Sequence, residues 1–322
     1  MKKLFLAPME GVTDWVMRDL LTDIGGIDQC VTEFLRVTTQ LHSKKVFYKW
    51  CPELLTGSKT RAGTPVFIQF LGGQAEPLAM NAARAAELGA LGIDLNFGCP
   101  AKTVNRHDGG ASLLKCPDRI FNIVKTVRQS VPLAVPVTVK IRLGWDDPSA
   151  CLETSQAAAE AGATWLTVHC RTKMAGYKPP AHWEWVPRIQ EKIKIPVIAN
   201  GDITSIESFL KCQQVSNADQ FMVGRAALMD PYLFLKIKKE LQKKSDVLTA
   251  DTTLPELGPL LIHFFAASTS HINEHFATAR TKQWLKQLSL KEPRAKEVFD
   301  AIKALKKPHD FYQGLEQHAH YL

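Results

Sequence analysis

The sequence predicts an α/β fold, a (β/α)8 TIM barrel, followed by a small all-helical domain. Three observations carry that prediction. Short β-branched or apolar runs alternate with longer helical stretches from residue 4 to about 243. Most of these runs are hydrophobic throughout, as parallel strands buried on both faces require. Eight such units fill a span close to the roughly 250 residues typical of the barrel. A doubly wound open sheet would call for a G-x-G-x-x-G turn after an early strand, and the sequence has none.

The expected strands are 4–9, 29–34, 65–71, 92–96, 136–143, 165–170, 196–200 and 219–223. Between them, 77–88 carries apolar residues at helical spacing and stops at Gly89; Gly25-Gly26 and Gly162 punctuate two other helices in the same way. Residues 1–244 are assigned to the barrel. A basic run from Lys236 leads into a polar stretch that reads as a linker over 245–254. Residues 255–322 lack strand signals and show helical periodicity near 256–275, 277–289 and 294–306, with Leu260, Leu261, Phe264, Phe265 and Ile272 as one apolar stripe.

No stretch approaches the roughly 20 apolar residues of a membrane span. Lys2-Lys3 and the short apolar run behind them are followed at once by Glu10 and Asp14, so the start reads as a first strand rather than a signal segment. Forty Lys and Arg against thirty-two Asp and Glu give a net charge of +8. That excess suits a polyanionic partner and a generically basic enzyme about equally. Seven scattered cysteines, with no C-x-x-C pair, argue against a disulfide framework and a structural metal site, and fit a reducing cytoplasm. A monomer is the default expectation.

In this fold the active site gathers at the C-terminal strand ends. Read in order, those ends hold Pro8-Met9-Glu10, Arg36, Gln69, Asn96-Phe97-Gly98-Cys99-Pro100, Lys140 and Arg142, His169-Cys170-Arg171, Asn200-Gly201-Asp202 and Gly224-Arg225. Polar groups in apolar strands are costly unless they are satisfied or used. The last two ends lie where many barrels bind phosphate, and they are also compatible with plain tight turns. Lys140 is a candidate for a Schiff base, for fixed positive charge beside a flavin ring, or for a solvent-directed strand end. Cys99 is held in a turn between Gly98 and Pro100, as an acid or a nucleophile. Gly109-Gly110 is either a loop that closes over substrate or a turn before a helix.

Together these segments resemble the tRNA-dihydrouridine synthases. The resemblance runs through Ala7-Pro8-Met9-Glu10-Gly11-Val12-Thr13-Asp14, Asp94 to Pro100, Val139-Lys140-Ile141-Arg142, Val168-His169-Cys170-Arg171-Thr172 and Ile198 to Asp202. It extends to Ala279-Arg280-Thr281-Lys282-Gln283-Trp284, which is similar to the C subgroup of the bacterial members. One departure is Cys170, where the family commonly has glycine; it is expected to narrow the space there slightly. The resemblance implies FMN reduced by NADPH (NADH is the alternative), then hydride transfer to C6 of a uracil while Cys99 protonates C5. It implies that Pro8, Met9, Glu10, Gln69, Lys140, His169, Asn200, Gly201, Asp202, Gly224 and Arg225 hold the flavin, and that Asn96 positions the uracil. Arg36, Lys102, Arg142, Arg280, Lys282 and Lys286 are the candidate tRNA contacts. The subgroup implies position 16 of the D-loop. The alternatives are a small-molecule flavin enzyme of the dihydroorotate dehydrogenase type, a non-catalytic RNA-binding protein, and a lysine-dependent aldolase.

Overall fold

In the computed structural model, which describes residues 2–243, 254, 256–320 and 322, eight parallel strands close into a barrel in sequence order. They are β1 (Lys3–Leu6), β2 (Gln29–Arg36), β3 (Val66–Leu71), β4 (Ile93–Asn96), β5 (Val137–Arg142), β6 (Leu166–His169), β7 (Val197–Asn200) and β8 (Gln220–Val223). The ring closes where Lys3 to Leu6 pair in register with Gln220 to Val223.

Side-chain alternation along each strand sorts the barrel into two cores. Outward Leu4, Leu6, Ile93, Leu95, Val137, Val139 and Ile141 pack beneath the surrounding helices. Inward Phe5, Val31, Phe67, Ile198 and Met222 form a separate interior cluster with Trp165 against it. Trp165 stacks on Phe67 at 5.3 Å between ring centroids. Gly92 makes room for that stack: a Cβ there would lie 2.2 Å from the Phe67 ring. This aromatic layer fills the N-terminal half of the barrel and leaves the C-terminal half for polar residues.

The strands fall within a few residues of their expected positions. β1 ends at Leu6 rather than residue 9. After Ala7 N–H donates to the Val223 carbonyl, the chain turns, with the Met9 carbonyl accepting from Val12 and Thr13 N–H groups. β2 continues to Arg36 through a register shift between Val31 and Phe34. The helix expected at 77–88 is Ala75–Glu87.

Beyond the barrel, the described residues form four helices: Leu257–His271, Glu274–Leu288, Pro293–Ile302 and Pro308–Ala319. Periodicity pointed to three. The fourth has its own buried stripe in Phe311, Leu315 and Ala319, at the i, i+4, i+8 spacing of one helix face. The stripe expected on the first of these helices needs correction. Leu261, Phe264 and Phe265 are buried, but Leu260 is only partly so, and Ile272 is 48% exposed because the helix stops at His271. Of the expected linker, 245–253 lies outside the described residues. Trp284 joins the two parts of the chain, its indole N–H donating to the Leu228 carbonyl at 3.2 Å. No helix among the described residues is long and apolar enough to cross a membrane.

Candidate active site

The inward positions near the C-terminal strand ends build the site in tiers. In the lower tier the buried Asp94 carboxylate accepts from the Thr138 hydroxyl at 2.5 Å and from Gln69 Nε2 at 2.6 Å. Burial still holds its pKa above the ordinary carboxylate range. With its amide nitrogen given to Asp94, Gln69 turns its oxygen to Asn96 Nδ2 at 2.8 Å. The Asn96 oxygen in turn accepts from the Gly98 and Cys99 N–H groups at 2.9 and 3.1 Å. A chain of side-chain hydrogen bonds thus runs from the barrel interior to the Cys99 turn, leaving one Asn96 Nδ2 proton for a ligand.

Cys99 is half-buried at the mouth. Burial pushes its thiol above the ordinary value of 9.0, an effect added to by Glu10 and opposed by the Ala101 N–H, Arg142 and Lys140. A thiol held protonated at neutral pH is an acid rather than a resident nucleophile. Gly109-Gly110 supports this turn from below: both glycines are buried, and the Ala111 N–H donates to the Cys99 carbonyl at 3.1 Å. Gly110 has φ +62°, and a Cβ on it would lie 2.9 Å from the Cys99 carbonyl oxygen.

Lys140 faces inward two residues beyond Thr138. Its ammonium donates to Asn200 Oδ1 at 3.2 Å, while Asn200 Nδ2 donates to the Met222 carbonyl at 2.8 Å. Burial, followed by the neighbouring Arg142, pushes the Lys140 pKa down to about 8. His169 is buried and surrounded by Arg142, Lys140, Arg171 and Arg225; burial first and these cations next hold its pKa well below the ordinary range. Its ring is therefore neutral at pH 7. Because Arg171 is always a donor, its Nη1 at 3.2 Å from Nε2 fixes Nε2 as the acceptor and leaves the proton on Nδ1.

Arg171 is fully buried between His169 and Asp202 and also donates to the Lys178 carbonyl at 2.7 Å. Asp202, with φ +52°, accepts from the Ala181 N–H at 2.7 Å, and the Trp183 indole donates to the Gly201 carbonyl at 2.8 Å. These contacts brace the β7 turn against the loop after β6. Gly224 and Arg225 complete that side, with Arg225 exposed and its guanidinium 4.9 Å from the Tyr177 ring centre.

One cavity of about 720 Å³ collects Pro8, Met9, Glu10, Gln69, Asn96, Cys99, Lys140, Arg142, His169, Asn200, Gly201, Asp202, Gly224 and Arg225. Its volume lies within the ~300–1,000 Å³ of small-molecule sites. The residues expected at one strand face therefore converge on one space. Cys170 does not enter it. It is fully buried in the outer core, because strand alternation that turns His169 inward turns its neighbour outward; the expected narrowing is corrected accordingly.

The candidate RNA contacts divide into two groups. Arg36, Lys102 and Lys286 are exposed. Arg142 is 1% exposed, its Nε donating to the Gly98 carbonyl and its Nη1 to Thr172 and Gly176 carbonyls. Arg280 is also buried: Nε binds Asp14 at 2.9 Å, Nη1 donates to Gly11 O at 2.8 Å and to Gln283, and Nη2 donates to Val12 O at 2.5 Å. Lys282 donates to the Leu305 carbonyl inside the helical domain. These three side chains make bonds within the protein, and Arg142 and Arg280 also line the cavity described above. Several lining residues had been given no role from sequence. Arg171 stands at an expected strand end and Gln283 in the 279–284 segment, whereas Tyr177 and Gln287 come from a loop and a distant helix with no local signal.

Residues 5–320 match the family model described as Dihydrouridine synthase (Dus). The chain belongs to the dihydrouridine synthase family. Among similar curated proteins, the tRNA-dihydrouridine(16) synthase of Neisseria meningitidis serogroup B is 46% identical over 94% of this chain and 91% of its own. That of Shewanella oneidensis is 45% identical over 99% of both chains. Of solved structures, a 2-naphthoyl-CoA reductase complex superposes with a TM-score of 0.57 at 12% identity, over 74% of this chain and 50% of its own. A morphinone reductase variant in complex with tetrahydroNAD gives 0.51 at 11% identity, over 74% and 86%. At such identities these two show the shared barrel. For this dihydrouridine synthase family member, Cys99, Lys140 and His169 stand together in one pocket.

Proposed function

We propose that the protein reduces uridine 16 in the D-loop of tRNA to 5,6-dihydrouridine, with FMN held at the barrel mouth and NADPH as reductant. The observation that supports this most is the half-buried Cys99 thiol, whose burial favours its protonated form, sharing one cavity with a cationic, amide-rich floor. The relatives named for position 16 support the choice of uridine.

The donor set fits a flavin. Gln69, Lys140, Asn200 and a neutral His169 offer amide, ammonium and imidazole groups to a polar ring edge. Gly201, Asp202, Gly224 and Arg225 would hold a phosphate through two turns and a guanidinium, and Pro8, Met9 and Glu10 line the adjoining wall beside β8. A flavin bound there would supply the hydride chemistry of the reaction. Lys140 places fixed positive charge in a shielded site, where it needs no reorganisation during reaction. Cys99 gives its Sγ proton to C5 as hydride reaches C6, so the C5=C6 π bond is replaced by two C–H bonds. The thiolate left behind regains its proton from water. Asn96 aims this acid by holding the Gly98 and Cys99 amides.

A uracil in folded RNA leaves its stack at a cost of a few kcal/mol. Phosphate contacts from Arg36, Lys102 and Lys286, all exposed, would offset that cost. The test is to incubate unmodified tRNA with NADPH and the protein, then map modified nucleosides by mass spectrometry. The expected product is a two-proton mass gain at uridine 16. Flavin-loaded protein that leaves tRNA unchanged would overturn the proposal.

A further inference from the structure

A cluster of cations on the rim of the barrel has no part in the site described above. Trp145 lies three residues beyond β5, half-buried. The Lys115 ammonium is 3.9 Å and the Lys173 ammonium 4.1 Å from its ring centre. Two positive charges are thus no more than about 8 Å apart, each held by the same indole. The three residues come from separate connections, after β4, β5 and β6, on the C-terminal side of the barrel.

Ammonium groups repel one another, and the negative face of an indole offsets that repulsion only in part. An anion between or across them would complete the balance, yet the two acids that follow Trp145 turn elsewhere. Asp146 accepts from the Asp147 N–H at 3.0 Å. The Asp147 carboxylate accepts from the Ser149 N–H at 2.9 Å and its hydroxyl at 2.6 Å. Lys173 does approach the Met174 sulfur at 3.8 Å, a neutral contact.

Position adds a second argument. In the closed ring of eight, β4 to β6 lie opposite β8 and β1. The helical domain attaches on the β8–β1 side, through Trp284 to Leu228 and Arg280 to Gly11 and Val12. The pocket is lined by Arg280, Gln283, Trp284 and Gln287 on the helical-domain side and by Arg142 and Tyr177, from β5 and the connection after β6, on the cluster's side. A polyanion that delivers one base to the pocket while leaning on the helical domain has the opposite rim within reach.

We infer that Lys115 and Lys173, mounted on Trp145, form a contact for the RNA phosphate backbone on the rim facing the helical domain. This inference rests on tRNA being the substrate. The ligand is one phosphate, or two successive ones, taken without reading sequence.

The test uses the full-length protein and unmodified tRNA, with Lys115→Gln, Lys173→Gln and the double variant. Each single change should weaken tRNA binding about two- to fivefold, the range of an exposed charge pair. The double change should weaken it about tenfold. The dependence of log K on log salt should become shallower by roughly one for each phosphate that is no longer held. Lys115→Arg and Lys173→Arg should keep both affinity and slope. Unchanged affinity and slope in the double variant, with the wild type still reducing tRNA, would overturn the inference alone. Wild-type protein that neither binds nor reduces tRNA would remove the proposed function and this contact together. Trp145→Phe keeps an aromatic face and should lose less affinity than Trp145→Ala; equal affinity in both would remove the indole from the site.

Discussion

Arg280 ties the helical domain to the barrel through bonds to Asp14, Gly11 and Val12, so Arg280→Met perturbs that joint directly. The change removes a charge-assisted bond to Asp14, whose side chain is 15% exposed, and bonds to the Gly11 and Val12 carbonyls. Hydrogen bonds to charged groups are worth about 1.5–3 kcal/mol, and removing one partner of a buried pair costs about 3–5 kcal/mol. Asp14 keeps its bond from the Met17 N–H and some solvent exposure, which places the expected loss at about 3 kcal/mol. Urea unfolding of wild type, Arg280→Met, Asp14→Asn and the double variant gives the coupling between the two side chains. Asp14→Asn retains the helix cap, so the cycle isolates the ion pair. A coupling below about 0.5 kcal/mol, with RNA affinity lost at unchanged stability, would refute the clamp and return Arg280 to the RNA surface.

Other outcomes follow from the same geometry. Lys140→Met should stabilise the cofactor-free protein by about 1–3 kcal/mol at pH 7 while weakening flavin binding; melting curves and flavin titration read the two effects. The sign follows from a folded pKa near 8 against the ordinary 10.5: folding releases the proton, so the strain is absent above pH 10.5 and fully present below 8. Reduction of tRNA should be flat below about pH 7 and fall in two stages, first near 8 as Lys140 loses its charge and again above 9 as Cys99, whose pKa burial has raised, loses its proton; stopped-flow rates against pH check it. Gly110→Ala forces a side chain into a left-handed backbone position 2.9 Å from the Cys99 carbonyl. It should slow tRNA reduction by about tenfold or more, as small displacements of reacting groups do, and leave absorbance of bound flavin in place.

Much of the site was legible because polar residues in apolar strands are conspicuous. Gln69, Asp94, Asn96 and Lys140 interrupt runs that would otherwise be wholly hydrophobic, and the period of two puts them on one inner face. The same period would have shown that Cys170 points away once His169 points in. The fourth C-terminal helix carried its stripe openly in Phe311, Leu315 and Ala319 behind Pro308, although three polar turns dilute it. What no local pattern holds is the partner of a long side chain. Arg280 meets carbonyls from Gly11 and Val12, and Lys282 turns to Leu305 within its own domain. In sequence, both look like free cations. Tyr177 sits on a loop whose path is set by Arg171 and Arg142 bonding to its carbonyls, again an interaction between distant segments.

The central claim is that Cys99 donates the proton that completes uracil reduction. Its most direct test is a single-turnover experiment in which flavin-loaded protein, reduced beforehand, is mixed with unmodified tRNA and flavin reoxidation is followed by absorbance. Wild type should reoxidise with one dihydrouridine formed per flavin, and Cys99→Ala should slow that step about 10²–10⁴-fold, the usual worth of a positioned general acid. NADPH should still reduce the variant at the wild-type rate. Reoxidation of Cys99→Ala by tRNA at the wild-type rate would contradict the account.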